Sequence, residues 1–392
     1  MGLLKGSFTF ARFHVDGQLP QAFLNFVNSR IKANSFRDAL KSTEEKRLGW
    51  VSLTDILDTD FENSNYALGD YLIFSLRIDC KLIPPKLMKI KLMEEERRFL
   101  AESGGAPPAG AGGAFPKRDI PQLAESIQPP AEAGGFLQRG KNRINKQMAS
   151  AMKDKVKLEL LTKLDAIPSF YDVCWAVGKN TVYFSSLADK VADDFIDLFK
   201  KTFSLNLRRF LPQENNLITK ESESTKAVSL IGREFLTWLW FKSEERNGRI
   251  KTSDTEEVEL HYLKRIALEA GEGEYSQGVV CHGIHAELKE GKEALRQGKK
   301  VKEAGIKLIH NQNEWEFTFK SDSFHFQSLK LPQTDWQETK EDPSGNLLER
   351  IYLIENAVKT IDSLYESFLQ IRYSPQWEGK ETKLLTKWLE HK

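Results

Sequence analysis

RGKNRINKQMASAMKDKVKLELLTK, residues Arg139–Lys163, carries eight cations: Arg139, Lys141, Arg143, Lys146, Lys153, Lys155, Lys157 and Lys163. Only Asp154 and Glu159 oppose them. Wound as a helix at about 100° per residue, Arg139, Arg143, Lys146, Lys153 and Lys157 fall within a sector of roughly 80°. Ile144, Met148, Met152, Val156 and Leu160 follow an i, i+4 row that drifts round another side. One side can therefore pack while another presents a line of cations some 25–30 Å long, at about 1.5 Å per residue. A long object with regular negative charge suits such a line, and nucleic acid is the commonest. The alternative is a solvated basic face without a partner.

The chain has 392 residues, too many for one compact core, so two or three domains are expected. A formal net charge of +1 excludes any affinity for polyanions that rests on the whole molecule. The positive charge is clustered instead. A second basic block carries Lys81, Lys86, Lys89, Lys91, Arg97 and Arg98 around Glu94, Glu95 and Glu96, and Lys200, Lys201, Arg208 and Arg209 add to it. Compensating acid lies later, at Asp254–Glu259 and Glu269–Glu274. Cys80, Cys174 and Cys281 are dispersed and odd in number, and no CxxC knuckle is present. The first residues run into a strand-like segment rather than a signal sequence, and no apolar run approaches ~18 residues. A soluble protein of a reducing compartment, with no membrane partner, is expected.

The order of elements reads as follows. Ser7–Val15 alternates as a strand, Leu19–Ile31 is amphipathic as a helix, and Tyr71–Ile83 is strand-like. Pro84-Pro85 opens a helix over Lys86–Ala101, where proline is tolerated in the first turn. Ser103–Gly135, rich in Gly, Ala and Pro, reads as a flexible connector between this helix and the basic one. The two helices are expected to pair as an antiparallel hairpin. Ser169–Val177 and Thr181–Ser185 flank a Gly178-Lys-Asn180 turn, followed by a helix over Ala188–Lys201 with Val191, Phe195, Ile196 and Phe199 inward and a strand over Thr202–Leu211. Gly232–Glu245 is an aromatic helix, with strands expected over Val258–Ala267, Ser276–Cys281, Lys299–His310, Glu314–Phe319 and Ser323–Leu331. Leu347–Arg372 closes the chain as a long helix. The fold class is thus α+β. A mixed central domain (residues 1–80 with 164–212) is interrupted by a hairpin tip (81–163, connector 103–135), and an α+β base domain (213–392) follows.

Motifs of chemistry are sparse. There is no GxxxxGK[ST] loop, GxGxxG, GxSxG or HExxH. Cys281-His-Gly-Ile-His285 holds three potential ligands, but structural zinc needs four, so Cys281 reads as a buried apolar residue and no metal is expected. A metal-dependent nuclease would need clustered carboxylates with a lysine. Asp335, Glu338 and Lys340, or Glu381 with Lys383, offer that pattern in a chain where chance supplies it. Trp238, Trp240 and Phe241 could stack on bases, but their spacing favours a core. Lys46–Val51 reads as a turn into a buried strand, with Gly49 giving backbone freedom.

The series Leu48-Gly-Trp-Val51, Leu82-Ile-Pro-Pro85, Met152–Leu161, the hairpin around Trp175, Phe235-Leu-Thr-Trp238 and Gly298-Lys-Lys-Val-Lys302 resembles, in order and over the whole length, the bacterial recombination-associated RdgC proteins. The resemblance implies a non-enzymatic, cofactor-free binder of double-stranded DNA without sequence specificity. It implies a ring-shaped homodimer that encircles DNA, opposes recombinase filament assembly and sits on the nucleoid in the cytoplasm. Two departures stand out. The connector is longer than in short members, and Gly283-Ile284 occupy the place of a DNA-facing Lys-Gln pair. The expected phosphate contacts are therefore Arg139, Arg143, Lys146, Lys153 and Lys157, with Lys86, Lys89 and Lys91 from the opposing arm. A nuclease, or a hairpin that uses its basic stripe on an acidic protein, are the competing expectations.

Overall fold

Phe8, Phe10 and Phe13 alternate with small or polar neighbours, yet six of the nine residues of the strand they form are buried and none is exposed. A strand covered on both faces belongs in the middle of a sheet, and this one does. The computed structural model describes residues 2–20, 23–38, 42–61, 66–102, 144–211, 225–245, 247–252, 256–270, 277–282, 289–333 and 342–390. The connector 103–135, Arg139 and Arg143 lie outside them.

The elements in chain order begin with β1 (Phe8–Asp16), α1 (Phe23–Ala33), β2 (Lys46–Val51), β3 (Ala67–Leu68) and β4 (Tyr71–Cys80). Then come α2 (Pro85–Glu102), α3 (Lys146–Lys163), β5 (Ile167–Ala176), β6 (Thr181–Phe184), α4 (Asp189–Phe203) and β7 (Asn206–Arg209). The remainder comprises α5 (Thr225–Glu245), β8 (Arg249–Lys251), β9 (Glu257–Glu269), β10 (Gly278–His282), α6 (Lys289–Arg296), β11 (Lys300–His310), β12 (Asn313–Lys320), β13 (His325–Lys330), α7 (Pro343–Arg372) and α8 (Thr382–Glu390). This is an α+β protein. Among the described residues no helix is long and apolar enough to cross a membrane.

The strands follow the order β10-β9-β11-β12-β13-β1-β6-β5-β4-β2, with β3 on β4, β7 on β1 and β8 on β9. β1 changes neighbours along its length. Phe8 and Phe10 face Leu329 and Phe326 of β13, whereas Phe13–Asp16 face Arg209–Asn206 of β7 on one side and Ala11–His14 face Phe184–Thr181 of β6 on the other. Residues 1–37, 48–77 and 169–392 form one compact unit, which holds most of both segments read as central and base domains. Residues 38–47 and 78–168, the hairpin and a short preceding loop, form the second.

In the first unit α4 lays Phe195, Phe199 and Phe203 on the sheet. Phe195 stacks on Phe184 at 4.0 Å, and the buried Trp50 indole donates to Thr202 Oγ1 at 2.8 Å. Val191 and Ile196, expected inward, are only half-buried because Ala192 and Leu198 take the inner positions. The helix runs to Phe203 and stops at Ser204 (φ 59°), so the expected strand from Thr202 is confined to β7. Asn180 (φ 48°) carries the left-handed position of the β5–β6 turn. Gly49 serves close approach rather than freedom of φ: a Cβ there would lie 2.5 Å from Phe36 Cα, where Phe36 N–H donates to Trp50 O. α5 and α7 pack Phe235, Trp238, Tyr365 and Phe368 over Phe324 and the strands β9 and β11–β13.

Arg12 of β1 reaches Asp362 of α7 through two bonds of 2.7 and 3.0 Å, and its guanidinium lies 3.8 Å over the Phe210 ring. Close by, burial first and then Lys320, Arg209 and Arg12 lower the His325 imidazole to about 4, against a weaker opposite pull from Asp189. The folded state thus binds fewer protons than the unfolded chain between about pH 4 and 6.5. This contribution to stability is complete above pH 6.5 and is lost as pH falls towards 4. The shift corresponds to at most about 3 kcal/mol. Urea titrations from pH 7 to 4.5 should show a steeper loss for the wild type than for His325→Gln. Parallel curves would contradict the assignment.

Candidate nucleic-acid interface

The second unit is built on α2 and α3. Proline at the first position of α2 gives up an N–H that would have no partner in a helix, and Asn145 caps α3 by accepting from Met148 N–H at 2.7 Å. The row expected to pack does so: Ile144, Met148 and Met152 are half-buried, and Val156 and Leu160 are buried. α2 buries nothing completely; Met88, Leu92 and Phe99 are half-covered against α3. Lys81, just before α2, donates to Leu161 O near the end of α3 at 2.6 Å, and Glu95 meets Lys155 at 2.6 Å further along. These two contacts make the pair antiparallel. A cation on the last carbonyls of α3 also suits the negative end of that helix.

The pairing decides which lysines share a face. On α3 the half-buried row is flanked by Lys155 on one side and by Lys146 and Lys153 on the other, at about 100° per residue. On α2 the row is flanked by Glu95 on one side and by Lys86 and Lys89 on the other. Because Lys155 and Glu95 meet, the opposite flanks also share a face. Lys86, Lys89, Lys146 and Lys153 lie on it, all exposed, with no carboxylate in ion-pair distance among the described residues. At 1.5 Å per residue they cover roughly 20 Å, about six phosphates of one strand at 3.4 Å each.

Other expected contacts are engaged elsewhere. Lys157 is half-buried and paired with Glu45, and Lys91 meets Glu94 at 2.7 Å. Lys155 is held above the usual lysine range, and Glu95 below the usual carboxylate range, by their mutual hydrogen bond. Two arginines of the first unit are likewise neutralised. Arg208 binds Asp16 at 3.1 Å, and Arg209 binds Asp189 at 2.5 Å and Asp193 at 2.9 Å, which lowers Asp16 and Asp189. Lys200 and Lys201 remain exposed. Arg97 and Lys163, members of the two basic blocks but not of the expected phosphate contacts, are further exposed cations of the hairpin.

Trp238, Trp240 and Phe241 are each 2% exposed, and so are core residues. Cys281 is buried, which raises its thiol, while His285 lies outside the described residues. Asp335, Glu338 and Lys340 also lie outside them. Glu381 accepts from the Trp238 indole and pairs with Lys242 at 2.9 Å, a structural engagement at the base of α8. Among the described residues no group of three His, Cys, Asp or Glu side chains could hold a metal ion. No protein-family model matches the chain, and no curated protein matches it in sequence.

Proposed function

We propose that the chain is a non-enzymatic binder of double-stranded DNA without sequence preference, and that the face bearing Lys86, Lys89, Lys146 and Lys153 contacts the phosphates. The observation that carries this reading is the sorting of charge on the hairpin: one side holds ion pairs, the other holds exposed lysines with no carboxylate in ion-pair distance among the described residues. Lysine ammonium groups contact phosphate as point charges and read no base edge, so affinity without specificity follows. The resemblance to the RdgC proteins extends the proposal to a ring-shaped homodimer on the nucleoid that limits recombinase filament assembly.

The test is fluorescence anisotropy with two unrelated duplexes in EDTA, repeated with Mg²⁺. Four phosphate contacts per hairpin give a slope of log K against log salt of about −3.6, or about 10²-fold weaker binding at 200 than at 50 mM. Engagement of Arg139 and Arg143 as well would steepen it towards −5. Unequal affinities for the two duplexes, or a flat salt response, would contradict the proposal. Loss of the DNA only with Mg²⁺ would favour a nuclease.

A second reading rests on Ile90 and Met93 of α2, 53% and 39% exposed beside the lysines. Apolar side chains among cations suit an acidic amphipathic protein segment. That reading expects no DNA binding at physiological salt.

A further inference from the structure

Between the β11–β12 turn and the outer side of α7 lies a cavity of about 220 Å³. Its wall is polar. Asn311 and Asn313 reach it from the turn, and Tyr352, Asn356 and Lys359 line it at helical spacing along α7. None of these five side chains has a hydrogen-bond or ion-pair partner among the described residues, although the structure elsewhere pairs many of its polar groups.

The back of the cavity is fixed. The Trp315 indole is anchored to Leu353 O at 3.1 Å. Thr360 Oγ1 donates to Asn356 O at 2.8 Å, which leaves its lone pairs to His310 Nδ1 at 3.3 Å. His310 Nε2, buried and without a hydrogen-bond partner among the described residues, lies 2.8 Å from Glu256 Oε2.

We propose that this cavity binds a pentose phosphate unit, the sugar-phosphate part of a nucleotide. Carboxamides and hydroxyls both donate and accept, so a ring bearing hydroxyls and an ether oxygen matches Asn311, Asn313 and Asn356. The volume admits one ring-sized polar body; Trp315 is buried behind it, and Tyr352 is the aromatic side chain exposed at it. Tyr352 is 57% exposed, so its ring can lie flat against a sugar or base. Lys359, exposed at the rim, supplies the cation for the phosphate. The unit could be a free mononucleotide or the phosphorylated end of a strand. The site does not use the hairpin lysines and does not rest on the DNA reading above.

Equilibrium dialysis of the full chain against labelled deoxyadenosine monophosphate and ribose 5-phosphate tests it. Both should bind with a Kd of about 0.1–1 mM. Lys359→Glu should weaken both by at least about tenfold, and Tyr352→Ala should weaken the nucleotide more than the sugar phosphate. These side chains are exposed, and unchanged melting of the variants verifies their fold. Lys146→Gln with Lys153→Gln should leave mononucleotide binding unaltered, which separates this site from the hairpin. A 5′-phosphorylated strand that binds that variant more tightly than the mononucleotide, and loses the gain with Lys359→Glu, identifies a strand end. Equal affinity identifies the free compound. No binding of either compound at about ten times the expected Kd, or equal binding of ribose and ribose 5-phosphate, overturns the proposal.

Discussion

Duplex DNA affinity at ~0.15 M salt is expected to fall about 10³-fold when Lys86, Lys89, Lys146 and Lys153 are all changed to glutamine. Each phosphate contact at that salt contributes about 1 kcal/mol through counterion release, and four contacts give about 4 kcal/mol. The control is Lys91→Gln with Lys155→Gln. These two lysines sit on the same helices but already face Glu94 and Glu95. Their removal should change affinity by less than about threefold, since exposed pairs contribute little to folding and their charge is already compensated. All six residues lie at the hairpin surface or its margin, so melting should move little in either variant. Equal losses in the two variants, scaled for the number of charges, would show that net charge matters and the face does not. Retained affinity in the fourfold variant would remove the hairpin from DNA binding altogether.

The second large effect concerns stability. Asp362→Ala is expected to cost about 3 kcal/mol, seen as a lower urea midpoint with an unchanged slope. The Arg12 side chain is 3% exposed and Asp362 34% exposed, so the substitution leaves the more buried partner without its counter-charge. The reverse change, Arg12→Met, should cost less. It removes the buried charge and leaves a carboxylate that water can reach, while a long apolar side chain keeps packing on Phe210 and Phe326. The inequality between the two variants is the diagnostic result. Equal costs would mean that the geometry of the pair, rather than burial of the guanidinium, sets its effect.

Elements with strong periodicity were legible in the sequence. The i, i+4 row of α3, the Pro-initiated start of α2, the β5–β6 turn and the five strands after residue 256 all lie close to where spacing puts them. Partners distant in the chain were not legible. The pairing of Lys157 with Glu45, of Arg208 with Asp16 and of Arg209 with Asp189 depends on folds of the chain that composition does not encode. A helical wheel therefore overcounted the open cations, because it places side chains around an axis without the neighbours that neutralise them. Gly49 shows the same limit. A glycine before a tryptophan reads as freedom, while its use is to let the backbone of Phe36 come close. The polar cavity was illegible for a related reason. Its residues are scattered from 252 to 363, and none is unusual in its own neighbourhood.

The changing neighbours of β1 bear on how the protein is made. Phe8 and Phe10 can find Leu329 and Phe326 only after more than three hundred intervening residues have left the ribosome. Until then the first part of this largely apolar strand exposes bare amides and carbonyls on its β13 side, an invitation to pair with the wrong chain. Such distant pairing also slows folding, because the ends of a long loop must meet before any contact rewards them. A chaperone that shields residues 8–10 until β13 emerges is expected to raise the folded yield.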